Sequence, residues 1–193
     1  MRPVFPIWAD SSLSTDTGKT VMRRLMLLRH AKSDRPDNVD DHARPLAERG
    51  RRACPLMGAY MVEQGLLPDL AMISTARRTM ETWELMRDIF PKHIVQIDEA
   101  RLYDASAKAI LDVIHEIPPD VKALLVVGHN PGLHELALKL IRTGSRQNLS
   151  RLQQKYPTAA LVVIDFRVSK WNVIAESTGQ LERFVTPQSI SRG

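Results

Sequence analysis

Three separated segments of the chain carry residues suited to one chemistry. Arg29-His30 follows the apolar run Leu25–Leu28, Ser74-Thr75-Ala76-Arg77-Arg78 follows Leu70–Ile73, and Gly128-His129-Asn130-Pro131-Gly132 follows Ala123–Val127. If the three runs are parallel strands, their carboxyl ends share one rim, where open α/β sheets bind ligands. Two histidines and at least two arginines would then meet. Phosphoryl transfer is the reaction that uses such a set. Forked, permanently charged guanidinium groups match phosphoryl oxygens. A neutral imidazole attacks phosphorus at neutral pH. A second histidine, if protonated, adds a donor that strengthens as charge shifts in the transition state. Gly128 and Gly132 permit close backbone approach, and a helix beginning at Leu133 offers free N–H groups.

The elements that must place these residues follow from apolar periodicity and breakers. Strands are expected at Leu25–Leu28, Leu70–Ile73, Ile94–Ile97 and Ala123–Val127, the last being the most apolar and the best central strand. Helices are expected from Pro45 to the Gly65/Pro68 stop, after a Ser74-Thr75 cap up to Pro91, over Ala105–Ile117 from an Asp104 or Ser106 cap, and over Leu133–Ile141. Ala159–Phe166 and Trp171–Ala175 read as a late hairpin. Strands alternating with helices imply an α/β fold, a mostly parallel sheet covered by helices on both faces. No internal repeat and no linker divides the chain.

Bulk properties narrow the function. The chain has 193 residues, 44% hydrophobic and 25% charged, which suits one soluble domain. No apolar run approaches the ~20 residues of a membrane span. Cys54 is the only cysteine, so no internal disulfide is possible, and a reducing, cytoplasmic setting is expected. The formal net charge is +5. Its basic residues are scattered, with no basic run interleaved with aromatics, so a nucleic-acid partner is not expected. A phosphorylated substrate accounts for the surplus better. Residues 1–21 hold Arg2 and Lys19 against Asp10 and Asp16 and contribute no net charge. They lack the apolar centre of a signal peptide and are read as a tail, disordered or not native, with Met22 as an alternative start. An organelle transit peptide is a weaker alternative, since arginine is scarce there. Residues 22–193 are expected to form the domain.

Together, several motifs resemble a known family. Leu28-Arg29-His30-Ala31-Lys32-Ser33 is similar to the Arg-His signature of the histidine phosphatase superfamily, which includes the phosphoglycerate mutases. Its Ala-Lys-Ser continuation resembles the SixA-type phosphohistidine phosphatase branch. So do Arg44-Pro45-Leu46 with Arg49-Gly50, Arg101-Leu102-Tyr103-Asp104-Ala105-Ser106 and Val127-Gly128-His129-Asn130-Pro131-Gly132-Leu133. The likeness spans about Met22 to Pro187, and its specificity lies in several motifs standing in order on matching elements. It implies a three-layer α/β/α fold of the phosphoglycerate mutase-like kind.

It also implies roles. His30 becomes phosphorylated, Arg29 and a second arginine hold the phosphoryl group, and His129 is the second histidine. The family spacing selects Arg78 for the second arginine, with Arg77 as the alternative because Thr75 and Thr79 depart from the usual proline and alanine. Asp104 aligns with the mutase proton donor, with a helix cap as its bland reading. Ser33 is a candidate phosphate ligand beside Lys32. Ordinary surface roles are expected for His93, His115 and His134, a local ion pair for His42 with substrate recognition as its alternative, and a core role for Cys54. No metal and no cofactor are expected. The implied substrate is phosphohistidine on a partner protein. The alternatives are a small phosphomonoester or, in another class, phosphate binding without catalysis.

Overall fold

In the computed structural model, residues 22–191 are described; the tail expected at 1–21 lies outside them. In chain order the elements are β1 (Arg23–Arg29), α1 (Glu48–Glu63), β2 (Leu70–Ser74), α2 (Arg77–Arg87), β3 (Val95–Glu99), α3 (Ala107–His115), β4 (Ala123–Gly128), α4 (Gly132–Leu140), β5 (Ile141–Gly144), α5 (Arg146–Gln154), β6 (Leu161–Phe166), β7 (Gly179–Val185) and α6 (Pro187–Ile190). Single 3-10 turns occur at Asp41–Ala43, Ala100–Leu102 and Trp171–Val173.

The strands form one sheet in the order β3-β2-β4-β1-β6-β7-β5. Neighbours are parallel except for β6, which runs against both β1 and β7. Two apolar layers cover it. Leu25 and Leu27 of β1 join Leu124 and Val126 of β4 beneath α3, α4 and α5. Met26, Leu28, Leu125 and Val127 face the opposite way, beneath α1 and α2. A strand covered on both faces must be apolar at every position, which is why β1 and β4 read as unbroken runs. The result is the three-layer α/β/α architecture. None of the described helices is long and apolar enough to cross a membrane.

Several expectations need correction. Trp171–Ala175 is not a strand. Trp171 opens a 3-10 turn, and its buried ring donates an Nε1–H bond to the Val121 carbonyl at 2.7 Å. The partner of β6 is β7 instead. Register there jumps from Val163 opposite Arg183 to Ile164 opposite Leu181, so Glu182 is a bulged, unpaired residue. That bulge puts two charged residues side by side and hides the alternation of a strand. Ser74 and Thr75 do not cap α2; Ala76 stands at its N-cap without a side-chain bond. Of the two caps offered for α3, Ser106 accepts from the Ala109 N–H. β5 and α5 bury few apolar side chains, so neither stands out as an apolar run in the sequence. His115 and His134 are part-buried, each pairing Nε2 with a carbonyl, of Ile174 at 2.8 Å and Leu152 at 2.7 Å.

Candidate active site

Register brings the three segments together. Arg29 of β1 stands opposite Gly128 of β4, and Val127 stands opposite Ile73 of β2. All three strands are parallel, so His30, His129 and Ser74 leave the sheet at the same rim. The His30 N–H donates to the Gly128 carbonyl at 3.0 Å. The imidazole centroids of His30 and His129 lie 5.2 Å apart, and the planes are tilted by 52°. That separation lets one tetrahedral anion touch both rings.

The His30 ring has a defined tautomer. Its Nδ1 lies 2.7 Å from the Ala31 carbonyl oxygen, which can only accept, so Nδ1 carries the proton. The lone pair is left on Nε2, which has no hydrogen-bond partner among the described residues. Burial, together with the positive charges of Arg78 and Arg29, pushes the His30 pKa down to about 3. Burial and Arg78 push His129 down to about 4. Both rings are neutral at pH 7. His129 pairs Nε2 with the buried Ser74 hydroxyl at 2.8 Å, while its buried Nδ1 has no partner among the described residues. A buried imidazole nitrogen without a partner is costly unless a ligand group meets it.

The backbone around His30 is braced from α2 and from the loop before β6. Thr82 Oγ1 accepts from the Ala31 N–H at 3.0 Å and donates to the Arg78 carbonyl at 2.6 Å. The Tyr156 carbonyl accepts from Arg29 Nη1 at 2.8 Å and from Asn130 Nδ2 at 3.0 Å. One carbonyl thus ties the end of β1 to the loop after β4. Gly132 serves a different end: a Cβ there would stand 2.0 Å from the Ala105 carbonyl oxygen, so only glycine lets α4 lie against the segment that carries Asp104.

The arginines differ in their settings. Arg78 is buried, with Nη1 donating to the Asp41 carbonyl at 2.6 Å and Nη2 to its Oδ2 at 3.0 Å. Arg77 points outward and donates Nε–H to Glu81 at 2.7 Å. Arg29 keeps a buried Nε–H without a partner among the described residues. Asp41 collects three donors: Arg44 at 2.8 Å, Tyr103 at 2.9 Å and Arg78. Led by the Arg44 bond, they hold its carboxyl well below the usual carboxylate range. Ser33 accepts from Arg44 Nη2 at 2.9 Å. Asp104 is exposed, has φ 49°, and makes no side-chain hydrogen bond among the described residues. His42 pairs with the Thr75 hydroxyl at 3.0 Å rather than with a carboxylate. Cys54 is buried, which pushes its thiol up to about 12.

His30, Arg29, Arg78, His129, Asp104 and Ser33 all line one cavity of about 340 Å³, shared with Lys32, Arg35, Arg44, Asp41 and Tyr103. Arg77 does not line it. Five cationic side chains face two carboxylates there, so the cavity is electropositive even with neutral histidines. Sequence reasoning missed Asp41, Tyr156 and Thr82. Tyr103 lay within a noted motif, but its phenol acts on Asp41, 62 residues away, through a contact only the fold creates. The arrangement can hold a tetrahedral oxyanion and offer it an unprotonated ring nitrogen.

No family profile matches the chain. An uncharacterized protein of Mycobacterium tuberculosis, Rv1276c, is 33% identical over 139 residues, which are 71% of this chain and 85% of that protein. A solved structure from Nakamurella multipartitia, described as a candidate phosphohistidine phosphatase SixA, superposes with a TM-score of 0.71 at 27% identity, covering 86% of this chain and 96% of the other. A candidate SixA from Agrobacterium tumefaciens gives 0.72 at 26% identity, covering 86% and 98%. The shared fold, the likeness in sequence and the rim that gathers His30 with His129 agree: this chain belongs to the histidine phosphatase superfamily, in its SixA-type branch, and is a hydrolase of that kind.

Proposed function

We propose that the protein hydrolyses phosphohistidine on a partner protein through a covalent phosphohistidine at His30. The observation that carries this is the His30 imidazole, buried neutral with Nδ1–H on the Ala31 carbonyl and Nε2 unbonded among guanidinium groups. In the first step Nε2 attacks phosphorus, the P–N bond to the substrate imidazole breaks, and the departing nitrogen takes a proton. In the second, water attacks phospho-His30, the new P–N bond breaks, and inorganic phosphate leaves. Arg29, Arg78 and His129 hold the phosphoryl oxygens in both steps. Arginine supplies the charge neutralisation that a metal provides elsewhere.

The carboxylates support the choice of a P–N bond. Asp41 is held as an anion and cannot donate a proton. Asp104 remains as donor, but it is exposed and unsupported by hydrogen bonds. An alkoxide leaving group needs a strong general acid, whereas imidazole leaves readily once protonated. The branch to which the chain belongs points the same way.

The test is incubation with phosphoramidate, a phosphohistidine peptide and p-nitrophenyl phosphate, each with EDTA, followed by quenching to look for acid-labile phosphate on the protein. Turnover in EDTA, with label that disappears in His30→Ala, is expected. Binding of phosphate with no turnover of any substrate would leave a phosphate-binding module. Rapid turnover of esters alone would leave a small-molecule phosphomonoesterase.

A further inference from the structure

Beside the His30 cavity, and sharing Lys32 and Thr158 with it, lies a second cavity of about 480 Å³. Four cations line it, Lys32, Arg49, Arg151 and Lys155, and no carboxylate does. None of the four makes an ion pair among the described residues, although Arg44 and Arg78 at the His30 cavity and Arg77 and Arg87 on α2 do. They come from four places in the chain: the loop after β1, the first turn of α1, α5 and the segment after it. The floor is apolar, with Ala159 and Phe184 buried and Arg151 stacked over the Phe184 ring at 5.4 Å. Like charges gathered around an apolar concavity repel one another unless an anion joins them.

We propose that this groove binds an acidic segment of the phosphorylated protein, next to the residue whose phosphoryl group enters the His30 cavity. The inference rests on the phosphatase reading and names what the substrate must carry besides its phosphoryl group. Continuity through Lys32 and Thr158 lets one molecule occupy both cavities. Charge complementarity selects glutamates or aspartates. The manner in which the charges are held favours polypeptide over a second phosphate. A phosphate site gathers forked donors buried at one point, as around His30. Here Lys32, Arg49 and Lys155 are exposed and spread along the groove, which suits several carboxylates and an apolar side chain on the floor.

Three substrates test it: a phosphohistidine peptide flanked by four glutamates, its glutamine counterpart, and phosphoramidate. The double variant Arg49→Gln/Lys155→Gln alters exposed positions outside the His30 cavity. Its KM for the glutamate peptide should rise about tenfold with kcat unchanged. The glutamine peptide and phosphoramidate should change less than about twofold, and the wild-type preference for the glutamate peptide should fade with salt. Unchanged KM for the glutamate peptide overturns the proposal. So does an equal loss on phosphoramidate, which would mean damage to the His30 cavity. A small bisphosphate whose KM depends on Arg49 and Lys155 when the peptide's does not also overturns it, assigning the groove to metabolites. Fluorescence anisotropy with the unphosphorylated glutamate peptide and His30→Ala protein reads the groove alone. If wild-type protein turns over none of the substrates, the His30 reading fails, and the anisotropy decides the groove by itself.

Discussion

The two neighbouring cavities are both cationic, yet they hold charge in opposite ways. Around His30 the guanidinium groups are fixed by main-chain oxygens, Arg29 on Tyr156 and Arg78 on Asp41. In the adjoining groove Lys32, Arg49 and Lys155 stand exposed without ion-pair partners among the described residues. Donors fixed in advance cost little reorganisation when charge moves during a reaction, so they serve a transition state. Charges on free stems serve encounter and hold, because each must still be ordered by the ligand. Loss of a fixed group should therefore depress kcat, whereas loss of a free one should raise KM.

The strongest way to break this contrast is His30→Ala. It should lower kcat/KM for phosphoramidate on the order of 10⁴-fold or more and abolish acid-labile phosphate on the protein. Substantial remaining turnover would place the chemistry elsewhere. Next comes Arg78→Ala, expected to cost about 10²- to 10³-fold, mainly in kcat. Arg77→Ala, on the same helix but paired with Glu81 outside the cavity, should change rates less than about twofold. Equal effects of the two would erase the distinction between a fixed donor and a surface one. Asp104→Asn sharpens the picture at the donor: an alkyl phosphoester should lose about 10²-fold, phosphoramidate less than about threefold. Losses of similar size on both would count against P–N selectivity.

A separate check reads acid stability rather than rate. An unfolded histidine titrates near 6.5, whereas His30 and His129 stay neutral in the fold down to about 3 and about 4. Below pH 6.5 the unfolded chain therefore takes up protons that the folded chain does not. Stability is full above 6.5 and falls as pH drops toward 4, by at most about 1.4 kcal/mol per pH unit for each ring. Thermal melts between pH 7 and 4 should show a steeper loss for wild type than for His30→Asn/His129→Asn. Equal slopes would mean that the rings are accessible to protons.

Much of this arrangement is legible in the amino-acid sequence. Strands buried on both faces announce themselves as apolar runs, so β1, β2 and β4 and the residues at their ends could be read directly. What could not be read depends on the third dimension. Asp41 reaches Arg78 across 37 residues, and the Tyr156 carbonyl reaches Arg29 across 127. No local pattern encodes either contact. The hydroxyl of Ser74 looked like a helix cap because capping is the common local use of serine. Once β2 and β4 pair in register, the His129 ring claims it instead. β7 escaped notice because the bulge at Glu182 breaks the period-two signal on which strand recognition rests.

The tie between His30 Nδ1 and the Ala31 carbonyl has one more consequence. It reserves the ring nitrogen nearest the main chain for a peptide oxygen, so phosphorus can be received only at the far nitrogen. The intermediate proposed at His30 should then be a single regioisomer, the tele form. A quenched digest should contain tele-phosphohistidine and none of the pros isomer, whichever isomer the substrate carried.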